Sequence, residues 1–292
     1  MDDEILENYL TAGRIAAKIL ADGARMIRPG ASYLEVVETI EETVTGQDAG
    51  LAFPLNLSLN EDAAHDTASA GDDRVFKAGD LVKLDLGVHV NGYIADTAVT
   101  VDLGDHTGLV EASEQALAQA IACVKPGVTV GELGSKIQSE IEQRGYRPVS
   151  NLTGHGLGRF MVHGPPTIPN IAMGGGMVLQ EGMVFAIEPF STTGCGRVSE
   201  KSKKEIYQQI SNKPVRIPAQ RTILERVRDR CGLPFARRWL PDKKTDLMLP
   251  QLVRSGNFHV YPVLSDIAGS FVSQHEHTLI VTEDGCIVTT RP

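Results

Sequence analysis

Lys83-Leu84-Asp85-Leu86-Gly87-Val88-His89-Val90-Asn91-Gly92-Tyr93-Ile94-Ala95-Asp96-Thr97 is the stretch around which the rest of the chain is organised. Two apolar runs, Leu81 to Leu86 and Ile94 to Val101, flank Asn91-Gly92, a strong signal for a two-residue hairpin turn. Each strand then carries one acid. A carboxylate inside an apolar strand is costly unless a positive group meets it. Two of them brought close across a hairpin repel each other unless a cation lies between. Asp85 and Asp96 are therefore either hydrogen-bonded strand-end acids or ligands of a metal, and further ligands in similar settings decide between the two.

Working outward, residues 3–27 place Ile5, Tyr9, Ala12, Ala16, Ile19 and Leu20 at helical spacing, ended by Arg28-Pro29-Gly30. Ser32-Tyr33-Leu34-Glu35 has the form of a capping box opening a second helix. The same punctuation returns at an offset of 97 positions. A helix over 107–124 leads to Lys125-Pro126-Gly127 and a second capping box, Thr129-Val130-Gly131-Glu132. At an offset of 103, Ala78-Gly79-Asp80-Leu81-Val82-Lys83-Leu84-Asp85 matches Glu181-Gly182-Met183-Val184-Phe185-Ala186-Ile187-Glu188. Asp85 and Glu188 are then equivalent, as are Asp96, opening the strand to Val101, and Glu276, opening the strand to Val281.

A chance repeat aligns Pro-Gly punctuation more readily than it aligns acids as well. The acids lie 11 positions apart in the first half and 88 in the second, so about 77 further residues are inserted between Phe190 and Gly269. Helices are expected within the insert over Ala219–Cys231 and Asp246–Arg254, with turns at Pro234 and Trp239-Leu240-Pro241. The reading is a single α/β (α+β) body over 1–292, made of duplicated halves, with a helical insertion subdomain at 195–258.

A chain of 292 residues, 42% hydrophobic, can bury a full core. The start, Met-Asp-Asp-Glu, has no basic then apolar signal region, and no apolar run approaches membrane-spanning length; a cytoplasmic protein is expected. Cys123, Cys195, Cys231 and Cys286 are scattered and read as reduced packing residues. The net charge of −9 argues against general nucleic-acid affinity, yet residues 201–254 hold 14 Lys and Arg against 5 acids. A solvated helical face pairing with the acidic body is the plain reading of that segment. The sharper one is docking near ribosomal RNA through Lys201, Lys203, Lys204, Arg221, Arg228, Arg237 and Arg238, with Arg237 and Arg238 alternatively structural beside Trp239.

A fifth ligand candidate is His155 in Thr153-Gly154-His155-Gly156-Leu157-Gly158, where flanking glycines permit close backbone approach to a ligand. Asp85, Asp96, His155, Glu188 and Glu276 give one nitrogen and four carboxylates, enough for two divalent ions with bridging oxygens, drawn from Co, Mn, Fe or Zn. Hydrolysis by a metal-bridging hydroxide is the chemistry such a set suits. His65 and His163 are candidates for steering a substrate amide.

Phe53-Pro54-Leu55-Asn56-Leu57-Ser58-Leu59-Asn60 with His65, Lys83-Leu84-Asp85-Leu86-Gly87 with Asp96, Gly154-His155-Gly156-Leu157-Gly158, His163-Gly164, Ala186-Ile187-Glu188-Pro189-Phe190 and Gln274-His275-Glu276-His277-Thr278 together resemble the methionine aminopeptidases. The insertion with Pro234-Phe235-Ala236-Arg237-Arg238-Trp239-Leu240 is similar to the type 2 branch, and the absence of a long N-terminal extension is similar to its archaeal members. One departure is the end Thr290-Arg291-Pro292, where many type 2 members carry a terminal tyrosine. The resemblance covers the whole chain and implies the pita-bread fold, a curved antiparallel sheet with helices on one side and a pseudo-twofold axis.

It further implies that Asp85, Asp96 and Glu276 hold one metal, and Asp96, His155, Glu188 and Glu276 the other. His65 would meet the scissile amide nitrogen and His163 the carbonyl oxygen, while Glu188 would take the proton of the attacking water. Phe53, Pro54, Val162 and Tyr261 would line the methionine pocket. The implied substrates are nascent polypeptide N-termini whose second residue is small, and the default oligomeric state is a monomer. An Xaa-Pro peptidase of the same fold and a non-catalytic ribosome- or nucleic-acid-binding relative are the alternatives; the second would have lost ligands, and all five stand here.

Overall fold

The computed structural model describes residues 1–240, 242 and 244–291; Pro241 of the expected turn and Pro292 of the chain end lie outside them. The first half runs α1 (Asp3–Met26), α2 (Tyr33–Thr45), β1 (Gly50–Leu51), β2 (Asn56–Leu59), β3 (Asp62–Ala64), β4 (Leu81–Val90) and β5 (Tyr93–Asp102). The second begins again with α3 (Thr107–Cys123), α4 (Val130–Gln143), β6 (Arg147–Pro148), β7 (Thr153–Gly158), β8 (Met161–Pro169), β9 (Val184–Ile187) and β10 (Phe190–Thr192).

The matched punctuation has matched geometry. Gly30 and Gly127, which close the two loops after α1 and α3, have φ of 86° and 91°. Thr129 and Glu132 form the capping box in both directions, whereas at Ser32 the side chain accepts from the Glu35 amide without the return bond. Such caps satisfy otherwise orphaned helix amides and contribute about 1 kcal/mol each. At the hairpin, Val90 pairs with Tyr93, and Asn91 and Gly92 have φ of 52° and 89°. These are the two positive values that a type I′ turn requires.

Strand pleating then sorts the side chains by face. Leu84, Leu86 and Val88 of β4 pack with Ala12, Ala16, Ile19, Val36, Val37 and Ile40 of α1 and α2. Phe185 and Ile187 of β9 pack in the same way with Leu117, Ile121, Leu133 and Ile137 of α3 and α4. Each fully buried aliphatic contributes about 1.5–3 kcal/mol. With the even positions of β4 committed to the helices, Asp85 has to face the other way, and so does Glu188 just past β9.

The halves join along β5. The Ala98 amide donates to the Glu276 carbonyl at 3.3 Å, and the Glu276 amide donates to the Ala98 carbonyl at 3.0 Å. The Thr97 hydroxyl donates to the Glu276 carbonyl (2.9 Å), and Thr278 Oγ1 accepts from the Asp96 amide (2.7 Å) while donating to the Asp96 carbonyl (2.8 Å). This seam brings Asp96 and Glu276 side by side.

The remaining elements are β11 (Ser199–Gln209), α5 (Pro218–Arg226), β12 (Phe235–Ala236), α6 (Thr245–Arg254), β13 (Phe258–Ser265), β14 (Val272–Gln274), β15 (His277–Val281) and β16 (Cys286–Val288). Here the expectation of a helical insertion subdomain is corrected by the addition of strands. The two expected helices are present as α5, followed by a 3-10 turn at Arg228–Arg230, and α6, but β11 and β13 form an antiparallel ladder from Gln209↔Phe258 to Ser199↔Ser265. Strand β13 continues the ladder onto β3 of the first half.

Among the described residues, four of the insertion's cations are matched by acids. Lys201 pairs with Asp62, Lys203 with Asp66 at 2.6 Å, and Arg238 with Glu41; Arg237 pairs with Asp246 of its own segment. Lys204, Arg221 and Arg228 stay exposed. Of the two readings of the segment, its pairing with the acidic body is the one visible in these contacts.

Candidate metal centre and substrate cavity

A cavity of about 560 Å³ opens on the face of the sheet turned away from the helices. Asp85, Asp96, His155, Glu188 and Glu276 all reach it, as do His65, His163, Phe53, Val162 and Tyr261. Pro54 does not: it is buried behind the wall, its carbonyl accepting from the Asn56 side chain at 3.1 Å. Asn56, Asn151, Leu152, Thr153, Thr167, Phe190, Ile206 and Pro234 also line the cavity, although none of them was given a role in the site from the sequence. Ile206 and Pro234 belong to the insertion, which is thus a wall of the site.

Register explains how the acids converge. Asp85 pairs with Ala98 and Asp96 with Gly87, so the two acids are diagonal neighbours on one face of the hairpin. Gly87 opposite Asp96 makes room for Phe53: a Cβ there would lie 2.3 Å from the ring. In the second half β9 and β15 pair through Ile187↔His277, and β10 and β14 through Phe190↔Gln274, placing Glu188 and Glu276 between these pairs.

His155 comes from β7. The glycines beside it do not serve a ligand, as the sequence suggested, but its own sheet: a Cβ at Gly154 would sit 2.3 Å from the Ala186 carbonyl oxygen, and one at Gly156 1.9 Å from that of Pro165. The close packing carries the imidazole in, with Nε2 3.7 Å from Asp96 Oδ2 and 3.6 Å from Glu188 Oε1.

One ligand atom each of Asp96, His155 and Glu276 lies within 4.8 Å of the other two, a spacing a single ion can span. Gln274 Nε2 points among the rest, 3.5 Å from Asp85 Oδ2, 3.4 Å from Glu188 Oε2 and 3.4 Å from Glu276 Oε2. An uncharged amide carries no charge signal in a sequence, although the position of Gln274 two residues before Glu276 on a continuous edge was visible.

Asp96 and Glu276 are 2% and 1% exposed, and Asp85 Oδ1, Asp96 Oδ1 and Glu276 Oε1 have no hydrogen-bond partner among the described residues. Leaving such atoms unmet is expensive in a packed interior. Burial pushes the Asp85 carboxyl up to about 7. Burial, then repulsion from neighbouring carboxylates, pushes Asp96, Glu188 and Glu276 well above the usual carboxylate range. Bound cations relieve both causes at once. Burial, with His163 beside it, lowers His155 to about 3, so its imidazole is neutral with a lone pair to give. Oxygen-rich donors with one imidazole fit divalent first-row ions.

The wall next to this cluster is apolar and aromatic. The His155 and His163 rings meet edge to face at 4.5 Å, and His65 meets Tyr261 at 5.2 Å. Burial pushes His65 and His163 down to about 4, so both are neutral near pH 7. His65 Nδ1 lies 3.3 Å from the Pro262 carbonyl oxygen. A carbonyl can only accept, so Nδ1 carries the proton and Nε2 is left as an acceptor.

Residues 7–283 match metallopeptidase family M24. Over 292 residues the chain is 48% identical to the methionine aminopeptidase of Archaeoglobus fulgidus, covering 100% of both. It is 47% identical to that of Pyrococcus horikoshii, covering 98% of this chain and 99% of the relative. Among solved structures, the methionine aminopeptidase of Thermotoga maritima superposes with a TM-score of 0.75 at 26% identity, covering 100% of this chain and 98% of the other. The duplicated halves, curved antiparallel surface and helices on one side are the pita-bread fold shared with that structure. A divalent-metal hydrolase site is what the cluster and the family have in common. The chain belongs to metallopeptidase family M24, among its methionine aminopeptidases.

Proposed function

We propose that this chain releases the N-terminal methionine of nascent polypeptides whose second residue is small, using two divalent ions among Co, Mn, Fe or Zn. Asp85, Asp96 and Glu276 would hold one ion and Asp96, His155, Glu188 and Glu276 the other. The observation that carries this reading is the convergence of the five candidate ligands on a cavity that Phe53, Val162 and Tyr261 also line. When bound, the ions lower the pKa of a coordinated water toward about 7 and polarise the scissile carbonyl.

The chain's own groups do the rest. The excess of carboxylates favours a free amino terminus, selecting chain ends over internal peptide bonds. Phe53, Val162 and Tyr261 receive the methionine side chain in an apolar, largely preformed pocket. Glu188 accepts the proton of the attacking water and passes it on to the departing amide nitrogen as the C–N bond breaks. His163, neutral, donates to the oxygen on which negative charge develops, a contribution of about 3–4 kcal/mol for a well-placed donor. His65 Nε2, an acceptor, receives the N–H of the scissile amide and keeps its nitrogen aligned as it leaves.

Every group comes from one chain, so a monomer suffices. Acting on nascent chains places the protein in the cytoplasm, and no described helix is long and apolar enough to cross a membrane. Docking on the ribosome would fall to Lys204, Arg221 and Arg228. The test of the main reading is incubation of the metal-loaded protein with Met-Ala-Ser, Met-Lys-Ser and Ala-Pro peptides in parallel. Methionine released from Met-Ala-Ser alone is expected; turnover of Ala-Pro in its place would favour the Xaa-Pro reading, and equal release from Met-Lys-Ser would remove the small-residue preference.

A further inference from the structure

The geometry points to Asp66, clamped between Arg74 and Lys203, as the group that positions His65 for the reaction. This rests on His65 meeting the substrate as proposed above. His65 has a left-handed backbone with φ of 64°. That conformation crowds the Cβ of a non-glycine residue and persists only where the surroundings impose it.

The surroundings here are a set of charged grips on the residues just after it. Asp66 is 2% exposed, and both its oxygens are taken: Oδ2 accepts from Arg74 Nη1 at 2.6 Å and Oδ1 from Lys203 Nζ at 2.6 Å. Arg74 belongs to the body, where Asp72 holds its Nη2 at 2.7 Å and the Tyr33 ring lies 3.8 Å beneath it. Lys203 belongs to β11 of the insertion and also donates to the Thr67 carbonyl at 3.2 Å.

The insertion adds two further holds. Arg238 Nη1 donates to Thr67 Oγ1 (3.0 Å) and to the Ala68 carbonyl (3.1 Å), and the Ser69 hydroxyl donates to Glu205 at 2.7 Å. Charge-assisted bonds of this kind are short and directional, and a carboxylate held from two sides cannot rotate to let the chain relax. On the ring side, β13 of the ladder supplies the Pro262 carbonyl and the Tyr261 ring. A strained residue is thus gripped by the body through Arg74 and by the insertion through Lys203. Part of the insertion's positive charge is spent on keeping the His65 imidazole at the cavity wall.

The experiment is a double-mutant cycle on the metal-loaded protein with Met-Ala-Ser as substrate. Lys203→Met removes one grip and keeps the aliphatic stem; Asp66→Asn removes the charge both grips depend on and carries the same test if the first variant does not fold. Each is made in the wild-type and His65→Ala backgrounds. Lys203→Met is expected to lower kcat about 10-fold with KM changed by less than about 2-fold, since a small misplacement of a reacting-site group costs rate. Lys203→Arg should restore most of that loss. In the His65→Ala background the same change should cost less than about 2-fold, because its route to the substrate is gone. Equal losses in both backgrounds would make the clamp merely structural, and an unchanged kcat in Lys203→Met beside a slow His65→Ala would overturn the clamp alone. Wild-type turnover by His65→Ala would instead overturn the reading of His65 from which the clamp follows.

Discussion

In the first half, β4 and β5 are joined by Asn91-Gly92, and Asp85 and Asp96 sit a few residues from that turn. In the second, β10 and β14 pair from Phe190↔Gln274 to Thr192↔Val272, where the hairpin tip is replaced by residues 193–271. Glu188 and Glu276 nevertheless hold the corresponding places. Strand register fixes where a ligand points, and the connection at the tip is free to be two residues or a folded segment. The segment, once present, has to pack back on the body, and here its cations meet Asp62, Asp66 and Glu41 while Ile206 and Pro234 close the cavity.

The equivalence of the halves can be broken most sharply at the seam. Asp96→Asn and Glu276→Gln should each lower kcat/KM by on the order of 1,000-fold, since a neutral amide removes several kcal/mol of support for bound cations and each 1.36 kcal/mol is tenfold. The two losses should be similar, because the residues are placed alike. Steady-state kinetics with metal analysis of both variants checks this, and near wild-type turnover in one of them would end the equivalence.

The packing of the insertion is probed next at Glu41, whose carboxylate accepts from the Leu55 amide (3.1 Å), the Trp239 indole (2.8 Å) and Arg238. Breaking a buried charge pair by removing one partner leaves the other uncompensated, so Glu41→Ala should cost about 3 kcal/mol of stability. Denaturant unfolding measures it. A loss under about 0.5 kcal/mol, the level of an ordinary surface change, would mean that the insertion is only loosely attached.

A smaller effect is expected at Gly87, which has Asp96 opposite and the Phe53 ring above it. Gly87→Ala drives a Cβ into that ring, and the displaced wall should raise KM for Met-Ala-Ser by about 10-fold with metal content intact, the equivalent of about 1.4 kcal/mol. Unchanged kinetics would show that Phe53 does not shape the methionine pocket.

These contrasts also mark what a sequence can disclose. The hairpin, the helix caps and the acids within apolar strands were legible because each is a local signal: a turn dipeptide, a side chain three residues from its amide, a charge where periodicity demands an apolar face. The ladder of β11 and β13 was not. Ser199–Gln209 is largely charged and polar, and its paired residues lie 49 to 66 positions away, so neither periodicity nor proximity reveals it. Lys203 looked like surface charge, and Arg238, offered also as structural beside Trp239, had no visible partner, because their acids, Asp66 and Glu41, belong to the other half of the sequence. The glycines around His155 were legible as close-approach positions, but whether the approaching atom is a ligand or a neighbouring carbonyl depends on strands not yet placed. Pro54, in the same motif as Phe53, falls behind the wall because the chain turns between them.

The most direct test of the paired-acid account is a crystal of the protein grown with Mn²⁺ and measured for anomalous scattering. Two manganese peaks are predicted in the cavity, both touching Asp96 and Glu276, with Asp85 on one and His155 and Glu188 on the other. A single fully occupied peak that leaves Asp85 or His155 without a metal, or manganese bound only elsewhere, would contradict it.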